Sequence, residues 1–196
     1  MKIVQTIITL VILACTLSLN AQDTHNPDIQ KRLDAFIDLT NQKKYSEAFD
    51  LMYPKMFDHV SKQELIDMMA SMDNGLSLQI SNRQITKFSS PFQEGDETFV
   101  RLDYTADMTV DVSKGGMFDY PKATLGILQQ FQATYGEANV DWNEAEKRYT
   151  IKADKAMMAI KGREGVWYLV EINPDQMDLM QSLFSEPVVN ALVKVK

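Results

Sequence analysis

Across positions 100–112 every even residue is apolar (Val100, Leu102, Tyr104, Ala106, Met108, Val110, Val112) and every odd residue is polar or charged (Arg101, Asp103, Thr105, Asp107, Thr109, Asp111). A period of two held this long predicts a β-strand with one face buried and one face wet, as antiparallel sheets have. Leu76, Leu78 and Ile80 begin another alternation, and positions 140–142 with 148–153, 156–160 and 166–172 give more. Polar turns, among them Gln93-Glu94-Gly95-Asp96 and Gly162-Arg163-Glu164-Gly165, link these runs as hairpins.

Elsewhere the apolar spacing switches to the helical one. Asn26-Pro27-Asp28 has the grammar of a helix start: a capping side chain, a proline at the first turn and an acid against the helix dipole. Ile29, Leu33, Phe36, Ile37 and Thr40 then predict a helix over 27–41. A second helix carries Tyr45, Ala48, Phe49, Met52, Met56 and Phe57 on one face, bent or shortened by Pro54. Ser61-Lys62-Gln63-Glu64 is a capping box, with Val60 and Leu65 placed as a hydrophobic staple. The third helix should run to Met72 and stop at Asp73-Asn74-Gly75, with Gly75 or Asn74 in the left-handed conformation.

After Lys114-Gly115-Gly116 breaks the long strand, Leu125, Ile127, Leu128, Phe131, Gln132 and Tyr135 predict a fourth helix closed by Gly136. Asn173-Pro174-Asp175 repeats the helix-start grammar ahead of Met177, Met180, Leu183 and Phe184. A last apolar segment, 188–193, follows Pro187. Helices, then hairpins with one helix among them, then a closing helix describe an α+β domain. Its curved antiparallel sheet of about five or six strands is backed by N-terminal helices and a C-terminal helix.

The first 21 residues read differently. Lys2 is their only charge, the middle is apolar, and Leu19-Asn20-Ala21 offers a small residue for cleavage, the pattern of an export signal. Ile12-Leu13-Ala14-Cys15 approximates a bacterial lipobox, weakened by the bulky Leu13, which makes Cys15 a candidate lipidation site and a possible membrane tether. The unbroken apolar run 10–15 is far shorter than the ~20 residues of a spanning helix. The expected product is an exported protein of the periplasm or cell exterior, with 22–196 as a single domain.

Composition narrows the partners. The chain carries 20 basic against 27 acidic residues, a net charge of −7, and losing Lys2 with the leader makes the balance more acidic. Such a surface repels phosphate backbones, and no basic stripe offsets it, so nucleic acid is not an expected partner. Cys15 is the only cysteine, which leaves a mature domain without disulfides, thiol catalysis or cysteine-ligated zinc.

The phosphate-loop, dinucleotide, Gly-x-Ser-x-Gly and His-Glu-x-x-His signatures are absent. Asp141-Trp142-Asn143 fails as a calcium loop, because Ala145, Glu146 and Lys152 occupy positions that need a ligand, a glycine and a bidentate acid. His25 and His59 are the only histidines, and His59 reads as a connector residue before the capping box. Asp103, Asp107 and Asp111 stand about 13 Å apart in turn at ~3.3 Å per residue, too far to share one ion, and read as a solvated face. The methionines, Met68-Met69, Met72 and Met157-Met158 among them, lack nearby His or Cys for copper and suit an adaptable core or an apolar groove. Tyr104, Trp142, Tyr149 and Trp167 are candidate walls of a ligand pocket if the sheet is concave.

The run Phe36-Ile37-Asp38-Leu39-Thr40-Asn41-Gln42-Lys43-Lys44-Tyr45-Ser46-Glu47-Ala48-Phe49-Asp50-Leu51-Met52 resembles the two-helix opening of the NTF2-like (cystatin-like) superfamily, with its polar turn and aromatic-x-x-Ala step. With Tyr53-Pro54-Lys55-Met56-Phe57 and Tyr135-Gly136-Glu137-Ala138-Asn139-Val140, the chain is similar to a group of exported or lipid-anchored Gram-negative proteins without an assigned activity. That superfamily contains enzymes, ligand binders and interaction domains alike, so the likeness implies a fold rather than a function. The expected function is non-catalytic and cofactor-free: binding an apolar small molecule or a protein partner in the cell envelope. Two rivals remain. One is an NTF2-like isomerase or hydrolase with a buried carboxylate beside a tyrosine. The other is a structural accessory that docks through the segment after Pro187.

Overall fold

The computed structural model describes residues 26–114 and 121–193, with only the backbone given for 121–123 and 174. The leader, Cys15, His25, Gly115 and Gly116 lie outside the described residues. The architecture is an α+β domain with a six-stranded antiparallel sheet.

The sheet has four lanes. Strand β1 (Ser77–Phe88) and the short β2 (Phe92–Glu94) follow one another along one side of β3 (Glu97–Asp111). Strand β5 (Arg148–Lys161) pairs with β3 over its whole length, from Thr98↔Lys161 to Asp111↔Arg148. The fourth lane is split. Strand β4 (Val140–Asn143) pairs with residues 148–151 of β5, and β6 (Trp167–Glu171) pairs with residues 157–161. Residues 152–155 of β5 therefore have a strand partner on the β3 side only.

The even residues of β3 and the odd residues of β5 share the inner face, as the pairs Leu102↔Met157, Tyr104↔Lys155 and Val110↔Tyr149 show. Helix α1 (Pro27–Asn41) covers one half of this face. Asn26 caps it by accepting from the N–H groups of Asp28 and Ile29, both at 3.2 Å, and its apolar stripe Ile29, Leu33, Ile37 packs with Val100, Leu102, Met157 and Leu169. Helix α4 (Pro121–Tyr135) covers the other half, setting Ile127, Leu128 and Phe131 against Met108, Val110, Tyr149 and Ile151. Each fully buried side chain of this size contributes roughly 1.5–3 kcal/mol. Leu125, expected on the apolar stripe, instead points outward at 53% exposure.

The outer face is covered only at one end, where helix α5 (Met177–Leu183) and the turns Glu186–Val188 and Val189–Val193 lie over Phe99, Met158, Ile160 and Val170. Four consecutive residues of β5, 157–160, are thus buried on both faces, Met157 under α1 and Met158 under the C-terminal segment. The sequence divides β5 into two strands at the polar pair Asp154-Lys155, where Lys155 takes an inner-face position, while the chain forms one strand; beyond that pair, covering both faces erases the alternation that marks a strand. The segment after Pro187 contributes to this core, with Val188 fully buried and Val189 2% exposed.

Around the N-terminal half, helix α2 is cut to Tyr45–Phe49, and Pro54 opens a 3-10 turn, Pro54–Asp58. Between them Tyr53 donates its N–H to the Leu169 carbonyl at 3.0 Å, and Leu169 donates to Leu51, tying this segment to the outer edge of β6. Helix α3 (Lys62–Met72) begins at its expected cap, Ser61 Oγ accepting from the Glu64 N–H at 3.4 Å. It ends without a left-handed residue, since neither Asn74 nor Gly75 has positive φ. None of its residues is fully buried, and Met68 and Met72 are exposed. The far edge of the sheet, β1, is met by Asn41 at the end of α1. The Asn41 side chain donates to the Ile80 carbonyl at 2.7 Å and accepts from the Ile80 N–H at 2.8 Å.

Candidate functional site

Split pairing of the fourth lane creates a depression of about 790 Å³ around the open edge of β5. Its walls include Tyr104, Arg101 and Asp103 on β3, Thr86 on β1, Asp154, Lys155 and Ala156 on β5, Glu171, Ile172, Asn173 and Asp175 at and after the end of β6, and 133–135 at the end of α4. Val193 lies at its rim. Chain direction dictates this geometry. Running antiparallel to β5, β6 enters the fourth lane and leaves it after Glu171, where the Ile172 N–H donates to the Ala156 carbonyl at 2.9 Å. Strand β4 resumes the lane only at Val140, after Gly136 at φ +90° and the turn Glu137–Asn139 have brought the chain round from α4.

Two ion pairs stiffen the walls. On the inner face, Lys155 and Glu171 bond side chain to side chain, the lysine 20% and the glutamate 42% exposed. On the outer face, Arg101 Nε donates to Asp103 Oδ1 at 2.7 Å, while Nη1 donates to the carbonyls of Leu192 and Val193 at 3.0 and 3.3 Å. Both cations are therefore occupied. Asp154 and Asp175, in contrast, have no ion-pair partner for their carboxylates among the described residues.

Tyr104 is the unusual member. It is 4% exposed, yet its hydroxyl has no hydrogen-bond partner among the described residues. Burial, reinforced by Glu171 and Tyr135 nearby, pushes the phenol well above its ordinary value and keeps it neutral. Among the described residues the side-chain atoms that are buried without a partner are Arg32 Nε and Arg148 Nε; the Tyr104 hydroxyl is not one of them and meets water at the wall of the depression.

The four aromatic residues expected to share a pocket are separated by the structure. Tyr149 is fully buried, donates to the Thr124 carbonyl at 2.9 Å and packs against Trp142 with the rings tilted by 34° and their centroids 4.3 Å apart, in the core beneath α4. Trp167 is in the cluster beneath α1, with Lys161 over its ring at 5.1 Å. Tyr104 alone of the four lines this depression. Aromatic side chains were used to fill the interior, and the depression that stays open is walled by polar and apolar groups in about equal measure.

The charged members, Asp154, Lys155, Glu171 and Asp175, escaped sequence reasoning. Lys155 and Glu171 are on the inner face because they keep the odd parity of Tyr149, Ile151 and Ala153 and of Trp167 and Leu169. Parity was therefore the available signal, hidden by reading β5 as two strands. His59 is exposed at the end of the 3-10 turn. The strand carboxylates have separate partners: Asp103 has Arg101, Asp107 accepts from Asn82 at 2.7 Å, and Asp111 is held below the ordinary carboxylate range by Ser113. Among the described residues no cluster of three His, Cys, Asp or Glu side chains could hold a metal, and no helix is long and apolar enough to cross a membrane. Compared with known protein families and with curated proteins, the chain matches none.

Proposed function

We propose that this chain is a non-catalytic binding domain of the cell envelope that holds a small polar molecule in the depression at the open edge of β5. The observation that carries the proposal is the depression of about 790 Å³ at the interrupted fourth lane, bordered by Tyr104, whose hydroxyl has no hydrogen bond to a described residue. This volume suits a ligand of ordinary small-molecule size. The export-type leader supports the envelope as its setting. An apolar ligand fits less well, because charged side chains occupy much of the wall.

A catalytic role has one feature in its favour, since Glu171 supplies the inward acid that an NTF2-like isomerase or hydrolase would require. Glu171 is paired with Lys155 and 42% exposed, however, and lacks the desolvation that suits a carboxylate for proton abstraction. Native mass spectrometry of the full chain made with its own leader tests the binding role. The expected spectrum shows a retained small molecule on the native protein and none on an Ala133→Trp variant, whose added ring obstructs the mouth from an exposed position. A protein that carries nothing under native conditions and is indistinguishable from that variant would sink the proposal.

A further inference from the structure

Resting on that binding role, we infer that the ligand is a short peptide, held by its main chain in the gap of the fourth lane with one residue paired to Asp154. Backbone direction is the first support. The Ile172 N–H donates to the Ala156 carbonyl at 2.9 Å, and at the other end of β5 the Val112 N–H donates to the Lys147 carbonyl at 3.0 Å. Peptide groups alternate in direction along a strand, so the even residues of β5 turn theirs to the fourth lane and the odd ones to β3. Lys152 and Asp154 are even, and no strand lies beside them: β4 starts opposite Ile151 and β6 ends opposite Met157. The Asp154 N–H and carbonyl therefore open into the depression. Both faces of the sheet line it there, Tyr104 and Lys155 from the inner one and Arg101 and Asp154 from the outer one.

The opposite margin of the sheet shows what satisfies such a donor and acceptor pair. On β1 the Ile80 N–H and carbonyl are both met by one amide, the Asn41 carboxamide. At Asp154 no side chain of the described residues supplies that amide, and the pair lies in a depression instead of under a guard. The length of the gap sets the size of the occupant. Residues 152–155 span about 13 Å at ~3.3 Å per residue, and Val140 and Ile172 close the two ends. An extended segment of about three residues fits, whereas a strand running through the lane is blocked. With its middle residue opposite Asp154, that residue's side chain shares the outer face and the flanking two turn to the inner face, beside Tyr104 and Tyr135. A wall of polar and apolar groups in about equal measure suits a main chain that carries side chains.

Native mass spectrometry of the full chain against an equimolar mixture of tripeptides built from alanine, serine, lysine, glutamate and tyrosine selects a ligand, and amide hydrogen exchange followed by NMR places it. Capture of at least one tripeptide is expected. At saturation the Asp154 N–H should exchange at least tenfold more slowly than in the free protein, while those of Ala153 and Lys155, already turned to β3, should be unchanged. The same tripeptide methylated on the nitrogen of its middle residue should bind at least tenfold more weakly. An equal loss is expected for the unmethylated tripeptide with Asp154→Pro, which removes the N–H at an edge position where proline is tolerated, and an unchanged thermal midpoint shows that this loss is not lost folding. Should that variant not fold, the methylated tripeptide with the unaltered chain gives the same reading. Equal affinity for the methylated tripeptide, or unslowed exchange at Asp154, would overturn main-chain pairing while leaving the binding role in place. Capture of no tripeptide rejects the peptide, and whether another molecule is retained from the producing cells then decides if the binding role stands.

Discussion

Tyr104 and Tyr149 project from the same face of neighbouring strands, and both are removed from solvent, at 4% and 0% exposure. Their surroundings differ in one respect. Tyr149 is enclosed by Trp142 and by Phe131, whose ring stands edge-on at 5.3 Å, and its hydroxyl is satisfied by a backbone carbonyl. Tyr104 sits where α1 and α4 part and the fourth lane is interrupted, and its hydroxyl is unpaired. The first arrangement is what a core demands of a buried phenol. The second leaves the hydroxyl without a protein partner at the wall of an open depression, where it is satisfied from solution.

Substitutions that separate the two tyrosines test this contrast. Tyr149→Ala should have the largest effect, a loss of about 4 kcal/mol by analogy with other buried aromatic truncations, measured by urea unfolding. Tyr149→Phe keeps the ring packing and removes the hydrogen bond to the Thr124 carbonyl, so about 0.5–1.5 kcal/mol should be lost; a neutral result would remove the distinction.

Alkaline unfolding gives a third comparison. Burial raises both phenols above the ordinary value of 10.0, so above that pH the folded state retains protons that the unfolded chain releases. Their stabilisation is complete below about pH 10 and is lost as pH climbs through the folded values. Stability should therefore fall with rising pH in this range, and less steeply in Tyr104→Phe or Tyr149→Phe, as followed by denaturant midpoints. The smallest effect belongs to Tyr104→Phe at neutral pH without ligand. Removing an unpaired hydroxyl should leave the midpoint unchanged or slightly raised, whereas a loss of 1 kcal/mol or more would reveal a hidden structural partner.

Where one face of an element is dry and the other wet, its identity was legible. Strand β3 shows this along 100–110, and α1 shows it through Asn26, Pro27 and the Ile29, Leu33, Ile37 stripe. Legibility failed where both faces are covered, as in 157–160 of β5, whereas α3 was legible from its Ser61 cap to Met72 although none of its residues is fully buried. Here Met68 and Met72 look like core by spacing but are exposed. The site was visible only through Tyr104. Its other members depend on the interruption of the fourth lane, which is set by where β6 leaves and β4 returns, and no local pattern encodes that.

Asn41 bears on how this molecule behaves in company. An outermost strand of twelve residues is ordinarily an invitation to a neighbour's strand. At Ile80 the seat is already taken: a carboxamide imitates the peptide group of an incoming chain, and nearby Asn82 at φ +48° kinks the ribbon out of line. Growth of the sheet from copy to copy is checked at that margin by a single side chain, so replacing Asn41 with alanine should make the protein more prone to assemble into β-rich aggregates.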